Sequence, residues 1–475
     1  DYCVYWIRRS HDHLPDCTPD DPVAGRAGLV GTQNIRNNKS REGGLDHVVA
    51  SGVITEAVDN QPWSGEANVH VSIANWVKTS KAKSPSDGLL IPSERKLWYK
   101  LPPKAGAKKR AKLGVRADKT YDLGFREAAS INAALSDQTD VTGAARLESS
   151  IRPQTTFQGV TSGHKGFRLT PKEAQSLLRK APQAREVCHP YLIGRELVTG
   201  DGTPSRFVID FESRSVQEAA TYGAAFDRIQ EMVLPDREAA AEKGKLKSGE
   251  MRPHHKRFLD YWWQLSYGRA DMVAAIGRLT RFICCSRVTK RPIFVFVASD
   301  VRPADALQVF SFEDDYTFGL LQSHAHWLWF ITKCAKLNER PTYTSDTVWD
   351  TFPWPQSPTT KDVLDVAEAG RAVRACRAEH LPRMKGGLRD LYRTLDLPGK
   401  SPLRDAHADL DSAVLKAFGF SSKKDLLAQL LDLNLAIAAR EKAGEPVTAP
   451  GIPQSYTDAG GDPADLITDD CVRAD

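Results

Sequence analysis

The sequence lacks the features that mark a secreted, membrane-bound or metal-binding protein. Its eight cysteines include no Cys-x-x-Cys pair and no Cys/His cluster at the spacing of a zinc site. No apolar run approaches the roughly 18 residues that a membrane helix requires, and no signal peptide opens the chain. We therefore expect a protein of a reducing cytoplasm, with no disulfide framework, no structural metal and no membrane contact.

An initiator methionine is also missing, because the chain begins at Asp1. Residues 1–14 carry an amphipathic helical pattern that is already under way at the first residue. We expect the sequence to be the C-terminal part of a longer protein. Its 475 residues, 41% hydrophobic and 26% charged, are ordinary for two to four globular domains.

The positive charge is concentrated in one segment. Residues 78–119 carry thirteen Lys or Arg against three acids, although the whole chain has a net charge of only +5. A solvated Lys-rich linker and a contact surface for a polyanion both fit this pattern. If the segment binds nucleic acid, Lys108, Lys109 and Arg110 are its strongest candidates for phosphate contacts.

A second basic feature is a predicted hairpin over residues 281–298. Two β-rich runs flank the short turn Thr289-Lys-Arg-Pro292. Nucleic-acid contact is one interpretation. The other is an edge hairpin whose cations keep it soluble and unpaired. The cations that would form the surface are Arg281, Arg287, Lys290, Arg291 and Arg302.

The clearest period-2 strand is residues 69–77. Val69, Val71 and Ile73 take one face, and the opposite face, which is more polar, carries the indole of Trp76. Packing under a loop would explain this indole. A stacking role is the alternative.

Many strings, in one order, resemble the MmeI-like group of class I S-adenosylmethionine-dependent DNA methyltransferases. The resemblance covers nearly the whole chain up to about residue 453. Among the matching strings are Gly25-Arg-Ala-Gly-Leu-Val-Gly-Thr, Ser40-Arg-Glu-Gly-Gly-Leu, Trp63-Ser-Gly-Glu-Ala, Val71-Ser-Ile-Ala-Asn-Trp-Val-Lys, Phe207-Val-Ile-Asp-Phe, Cys285-Ser-Arg-Val-Thr-Lys-Arg-Pro-Ile-Phe and Tyr343-Thr-Ser-Asp-Thr-Val-Trp-Asp-Thr-Phe-Pro-Trp-Pro.

The resemblance implies methyl transfer from S-adenosylmethionine to N6 of an adenine flipped out of double-stranded DNA, without a metal. Trp76 matches the position where related enzymes place an aromatic against the flipped base. The Gly-rich cofactor loop and the Asn-Pro-Pro-aromatic catalytic loop of the family are absent. We therefore expect the main cofactor motifs upstream of this chain, which by itself should neither bind S-adenosylmethionine tightly nor methylate DNA.

The predicted fold class is α/β, with the C-terminal half of a Rossmann-like methyltransferase sheet, an α+β target-recognition domain and a C-terminal helical region. The predicted boundaries are residues 1–120 for the methyltransferase part with its basic loop, 121–156 for a connector, 157–316 for target recognition, 317–453 for a helical spacer and 454–475 for a disordered acidic tail.

Within the recognition domain, Arg287, Lys290, Arg291 and Arg302 are the candidates for reading bases, with Ser286 and Thr289 as lesser donors. Some of these residues could hold phosphates instead, and the sequence does not separate the two roles.

Three functions remain open. The chain could be part of an adenine-N6 DNA methyltransferase, part of a bifunctional restriction–modification enzyme, or a non-catalytic DNA-specificity module. No Pro-Asp…Glu-x-Lys nuclease pattern is evident, so we do not expect this chain to supply cleavage. The sequence gives neither the target site nor the oligomeric state, and the expected location is the bacterial cytoplasm, at the nucleoid through DNA.

Overall fold

The computed structural model describes residues 2–36, 38–63, 69–79, 94–101, 123–199, 202–245, 250–337 and 340–474. The chain divides into two compact units, Asp1–Gly143 and Ala144–Asp475. Helices and strands are mixed in both units, which confirms the predicted α/β class.

The first unit is built on one five-stranded sheet. Its strands are β1 Arg26–Thr32, β2 Gly52–Pro62, β3 His70–Lys78, β4 Arg95–Lys100 and β5 Leu123–Ala128, and its helices are α1 Tyr2–His13, α2 Asn38–Gly43 and α3 Leu45–Ala50. The strand order is β1-β3-β2-β4-β5. Strand β3 is antiparallel to both of its neighbours, whereas β2 and β4 run parallel.

The core of the first unit lies where apolar side chains of α1 and α3 meet the sheet. Ile7 of α1 and Leu45 of α3 are buried in one cluster with Ile54, Ala74 and Trp76 of the strands. Burial of such side chains stabilises by roughly 1.5–3 kcal/mol each. This cluster therefore holds the helices on the sheet.

The second unit contains two four-stranded sheets and a small hairpin. Its strands are β6 Thr156–Gln158, β7 Arg168–Leu169, β8 Cys188–Leu192, β9 Phe207–Ile209, β10 Arg281–Ser286, β11 Val295–Ala298, β12 Arg302–Pro303, β13 Leu307–Phe310, β14 Ala335–Leu337 and β15 Arg340–Thr342. One sheet has the order β11-β10-β13-β6 and is antiparallel throughout. The other has the order β12-β8-β9-β7, with only the β12–β8 pair parallel.

Helices surround these sheets and continue to the end of the unit. They are α4 Glu148–Ile151, α5 Pro171–Lys180, α6 Gly194–Val198, α7 Val216–Ala220, α8 Ala224–Met232, α9 Leu234–Lys243, α10 Pro253–Asp260, α11 Ala270–Ile276, α12 Asp315–Gln322, α13 His324–Lys333, α14 Thr360–His380, α15 Leu388–Arg393, α16 Pro402–Phe418, α17 Leu426–Ala443 and α18 Gln454–Asp458. The start of α5 is encoded locally, since Thr170 and Glu173 form a reciprocal capping box and Pro171 occupies the first turn.

The structure groups the predicted segments differently. The boundary between the units, after Gly143, falls inside the segment 121–156 that was expected to be a connector. The recognition segment 157–316 and the helical segment 317–453 lie in one compact unit. Helix α14 packs closely on α12 and α16. In this structure the helical region is therefore part of the second unit rather than a separate spacer.

The acidic tail, residues 454–475, was expected to be disordered and instead packs on the second unit. Tyr456 is buried, and Val472 makes a parallel β-bridge to Val297 at the outer edge of β11. The carboxylate of Asp470 forms ion pairs with Arg281 and Arg374. The expectation was wrong because tail composition does not reveal the cations that the folded unit presents to the acids.

A close backbone approach beside β6 depends on a glycine. A Cβ at Gly159 would lie 2.2 Å from the carbonyl oxygen of Ala304, whereas a Cβ at Gly268 would meet nothing within 4 Å. We expect Gly159→Ala to destabilise the second unit by about 1–3 kcal/mol, because the backbone at residue 159 and the backbone at Ala304 must move apart. Urea unfolding of this variant and of Gly268→Ala checks the prediction. Equal stability of the two variants would contradict it.

Candidate nucleic-acid interface

Arg281, expected on a DNA-facing surface, lies inside the protein. Its Nη2 donates to Asp315 Oδ1 at 2.9 Å, and its Nη1 donates to Asp470 Oδ1 at 3.1 Å. The guanidinium carbon sits 3.5 Å from the ring centroid of Phe296. The interpretation of Arg281 as a DNA contact is corrected, because the guanidinium is enclosed and its donors are used internally.

The partners of Arg281 form what we call the arginine cluster: Arg281, Arg371, Arg374, Asp315 and Asp470. Asp315 is completely buried and accepts hydrogen bonds from all three arginines, including Arg371 Nε at 2.5 Å and Arg374 Nη2 at 2.8 Å. Burial of ions is tolerated where such pairing satisfies them. The cluster therefore has a structural role, because it connects β10, α12, α14 and the tail.

Arg302 is likewise enclosed. Its Nε donates to Asp210 Oδ2 at 3.3 Å and its Nη2 to Glu212 Oε1 at 2.7 Å. Burial, with the positive charge of Arg302 nearby, lowers the pKa of His189 to about 3. The expectation that Arg302 reads bases is corrected, because its fork is already engaged by two carboxylates.

Trp76 is 1% exposed and packs in the core of the first unit. The face of β3 that looked more polar is the one turned to the core, since Ser72, Ala74 and Trp76 are all buried on it. Small side chains at positions 72 and 74 make room for the indole and the helices. The base-stacking interpretation is corrected in favour of packing. The other predicted cations, Lys108, Lys109 and Arg110, lie outside the described residues.

The turn between β10 and β11 opens on a groove with a cavity volume of about 850 Å³. Lys290 and Arg291 of the turn line it, together with Arg389 and Arg393 from α15. We call this surface the basic groove. Trp327 of α13 forms part of its wall.

Internal contacts hold the turn in shape. The guanidinium of Arg291 lies 4.5 Å from the ring centroid of Trp327, whose Nε1 donates to the carbonyl oxygen of Lys290 at 3.1 Å. Thr289 Oγ1 accepts from Arg291 N at 3.2 Å. A cation stacked on an indole is oriented without being neutralised. The groove thus presents its charges in a fixed geometry.

The exposed cations of the groove are suited to phosphate. Lys290 and Arg389 are exposed, and within the described part of the chain neither forms an ion pair, whereas Arg393 pairs with Asp390 at 2.8 Å. Arg389 and Arg393 were not among the residues predicted from the sequence, and they follow the turn by about 100 residues. Their spacing of four within a helix was the available signal, because it places both on one face.

Arg287 occupies a different environment from the groove cations. It is half-buried, and burial is the main cause that lowers its pKa. Its Nη1 donates to the carbonyl oxygen of Asp305 at 3.3 Å. The neighbouring Ser286 is engaged by the protein, since its hydroxyl donates to Gly194 O at 3.1 Å.

Across the described ranges, no three His, Cys, Asp or Glu side chains are arranged to hold a metal ion. In the same residues, no helix combines the length and apolar character needed to cross a membrane.

The fold and the basic groove define a mixed α/β chain whose second unit carries a candidate nucleic-acid surface. Residues 144–356 match the family model described as "MmeI, target recognition domain". This segment is similar to that domain family, and the expected resemblance to the MmeI-like group is confirmed. No curated protein matches the sequence.

A solved structure of the Type IIL restriction–modification enzyme MmeI in complex with DNA is similar in fold. The TM-score is 0.63 at 19% sequence identity, and the match covers 87% of this chain and 50% of that one. The present chain therefore spans about half the length of that enzyme. At this identity the likeness establishes the fold.

Removal of the shared carboxylate from the arginine cluster should lower the stability of the protein strongly. Asp315→Asn should cost about 3–5 kcal/mol, because it leaves buried guanidinium groups without their shared counter-ion. The exposed pair Lys361–Asp365 supplies a matched control, and Asp365→Asn should cost about 0–1 kcal/mol. Chemical unfolding of both variants measures the difference. A small, equal loss in the two would contradict the structural role of the cluster.

The buried side chain of His326 should make the free energy of unfolding sensitive to acid. It is completely buried, with Nε2 3.0 Å from the hydroxyl of Tyr343, and burial lowers its pKa to about 3. The unfolded chain, with a pKa near 6.5, binds a proton there that the folded chain rejects, so stability falls as pH drops from about 6.5 towards 3. His326→Gln should flatten this dependence by about one proton, or ~1.4 kcal/mol per pH unit. Unfolding free energies between pH 4 and 7 test this, and an unchanged slope would contradict it.

Proposed function

We propose that this chain supplies sequence-specific recognition of double-stranded DNA to a restriction–modification enzyme that methylates adenine at N6. The observation that carries the proposal is the basic groove, whose turn residues Lys290 and Arg291 lie within the segment 144–356 that matches the MmeI target recognition domain. The solved structure of similar fold, that of the restriction–modification enzyme MmeI in complex with DNA, supports the same function. Its place of action would be the bacterial cytoplasm.

The groove would engage the DNA backbone. Duplex DNA carries a negative charge for every ~1.7 Å of its axis, and each phosphate contact releases counter-ions. Lys290 and Arg389 present exposed cations from two separate elements. Such contacts fix position and orientation on the duplex but carry no sequence information themselves. Sequence reading must then come from other donors of the same unit.

The described residues of the first unit do not fit a cofactor loop. Gly28 and Gly31 lie within β1, where a Cβ would meet the side chains of Asn75 and Ile35 at 2.2 and 2.4 Å. They make room for neighbours in the fold and do not open a helix towards a ligand. We therefore assign no methyl-transfer step to this chain and propose that the main S-adenosylmethionine motifs precede it in the complete enzyme. No metal is invoked for methylation.

The same observation favours a second candidate, a DNA-specificity module that works with a separate catalytic chain. Transfer of a labelled methyl group to duplex DNA separates the two. Activity of a polypeptide that extends this chain at its N-terminus supports the methyltransferase. Activity that requires a second, unlinked chain supports the module.

Removal of a single groove cation tests the phosphate contacts. We expect Lys290→Gln and Arg389→Gln each to weaken binding of a 30-base-pair duplex at 50–200 mM salt. Each should reduce the slope of log affinity against log salt by about one, because one fewer phosphate is neutralised. Fluorescence anisotropy with a labelled duplex measures both quantities.

Lys361→Gln is the control, because it also removes one exposed positive charge, from the pair with Asp365 on α14. It should leave the slope unchanged. If all three variants behave like the unaltered chain, the basic groove does not contact the DNA backbone.

A further inference from the structure

We propose that Arg269 and Arg287 form a guanine-reading pair within the second unit. The inference rests on the proposed function and deepens it, since it assigns the base contacts that the basic groove does not supply. Only Arg287 was a candidate from the sequence, because Arg269 lies outside the predicted hairpin.

Backbone contacts bring the two arginines together from distant parts of the chain. Thr161 and Tyr267 exchange backbone hydrogen bonds of 3.0 and 3.2 Å, which fixes the loop before Arg269. Arg287 N donates to the carbonyl oxygen of Ala306 at 2.9 Å. The backbone at Gly159 lies close to the carbonyl oxygens of residues 303–304, because glycine has no Cβ that would clash with them. The pair is therefore held by the fold rather than by flexible loops.

A short hydrogen-bond chain links the two guanidinium groups. Arg269 Nη2 donates to Gln158 Oε1 at 3.2 Å, and Gln158 Nε2 donates to the carbonyl oxygen of Asp305 at 3.1 Å. That carbonyl also accepts from Arg287 Nη1 at 3.3 Å. Each guanidinium has five N–H donors, so this chain orients both groups while most of their donors stay free.

Burial encloses one donor of each guanidinium in the pair. Both arginines are half-buried, and the Nε atom of each is enclosed without a hydrogen-bond partner. Among the described residues neither guanidinium forms an ion pair. Burial is the main cause that lowers the pKa of Arg287, the charge of Asp305 opposes this shift, and the charge of Arg269 adds to it. Like charges placed together away from water are costly unless a ligand supplies acceptors.

The backbone at Arg269 adds a second sign of function. Its φ is +54°, in the left-handed region that a non-glycine residue seldom adopts. Tyr267 lies beside it, with the guanidinium carbon 5.4 Å from the ring centroid. Strain of this kind persists where the surroundings impose it, and such positions cluster at binding sites.

The chemistry of the pair favours a base edge over phosphate. Guanine presents O6 and N7 side by side in the major groove, which matches the planar fork of arginine. A phosphate is reached well by exposed cations such as Lys290, whereas a half-buried and fixed guanidinium selects a ligand of defined shape. The pair therefore reads a base edge, whereas the basic groove contacts the phosphate backbone.

Selection from a duplex pool with a randomised 14-base-pair centre tests the assignment with the 475-residue chain. The unaltered chain should select a motif that contains invariant guanine. Arg269→Lys and Arg287→Lys keep the charge but lose the fork, and each should relax the preference at a guanine while general affinity changes less than about threefold. Lys290→Gln, the matched control, should weaken binding and leave the selected motif unchanged.

A second measurement removes the acceptor instead of the donor. Replacing the invariant guanine by 7-deazaguanine deletes N7 and should weaken binding by the unaltered chain about tenfold, within the range of one bidentate pair. The arginine variant that reads this base should lose little further affinity. Circular dichroism and thermal unfolding establish that each variant is folded.

The outcomes are distinguishable. If the unaltered chain selects no motif, the proposed function fails and the pair fails with it. If it selects a motif that both lysine variants keep, or if 7-deazaguanine weakens all variants equally, the reading pair is overturned while sequence-specific recognition stands. If a folded lysine variant binds every sequence more weakly to the same extent, the residue supports binding without reading a base, and the assignment is also overturned.

Discussion

The second unit depends on one carboxylate, that of Asp315. It is completely buried at the start of α12 and accepts from arginines on β10 and α14. Asp470 adds a second negative charge from the tail, bonded to Arg281 and Arg374. A buried charge without a partner costs several kcal/mol, so these elements are stable only together. The ion pairs thereby join the sheet that contains β10, the helices α12 and α14, and the tail.

The cations of the second unit divide into those paired inside the fold and those exposed at its surface. Arg281 and Arg302 donate hydrogen bonds to buried carboxylates. Lys290 and Arg389 are exposed without an ion pair among the described residues. Arg287 falls between these groups, because it is half-buried and forms no ion pair among the described residues. The surroundings of each guanidinium, rather than its place in a basic stretch, therefore separate scaffold from contact surface.

The parts of the fold that could be predicted are those that short stretches of sequence determine. The hairpin 281–298 forms as expected, with Arg281 opposite Ala298, and Thr170 caps α5 as its neighbours indicate. The fate of Arg281 was not predictable, because its partner Asp470 lies 189 residues away. Trp76 was misplaced for a related reason, since strand alternation gives two faces but not which face the helices cover. Tertiary contacts decide both.

Tertiary contacts also form the candidate site. A groove that combines the turn at Lys290 with α15 has no local signature, and Arg269 gains meaning only beside Gln158 and Arg287. Phosphate contacts tolerate loose placement, because charge acts over the ~8–10 Å of the Debye length. Base reading does not tolerate it, since the paired acceptors of a base must meet donors at hydrogen-bond distance. A recognition domain can therefore carry its phosphate contacts on turns and surface helices, but it must build its readers into backbone that cannot move, as the contacts around Gly159 and Arg269 do.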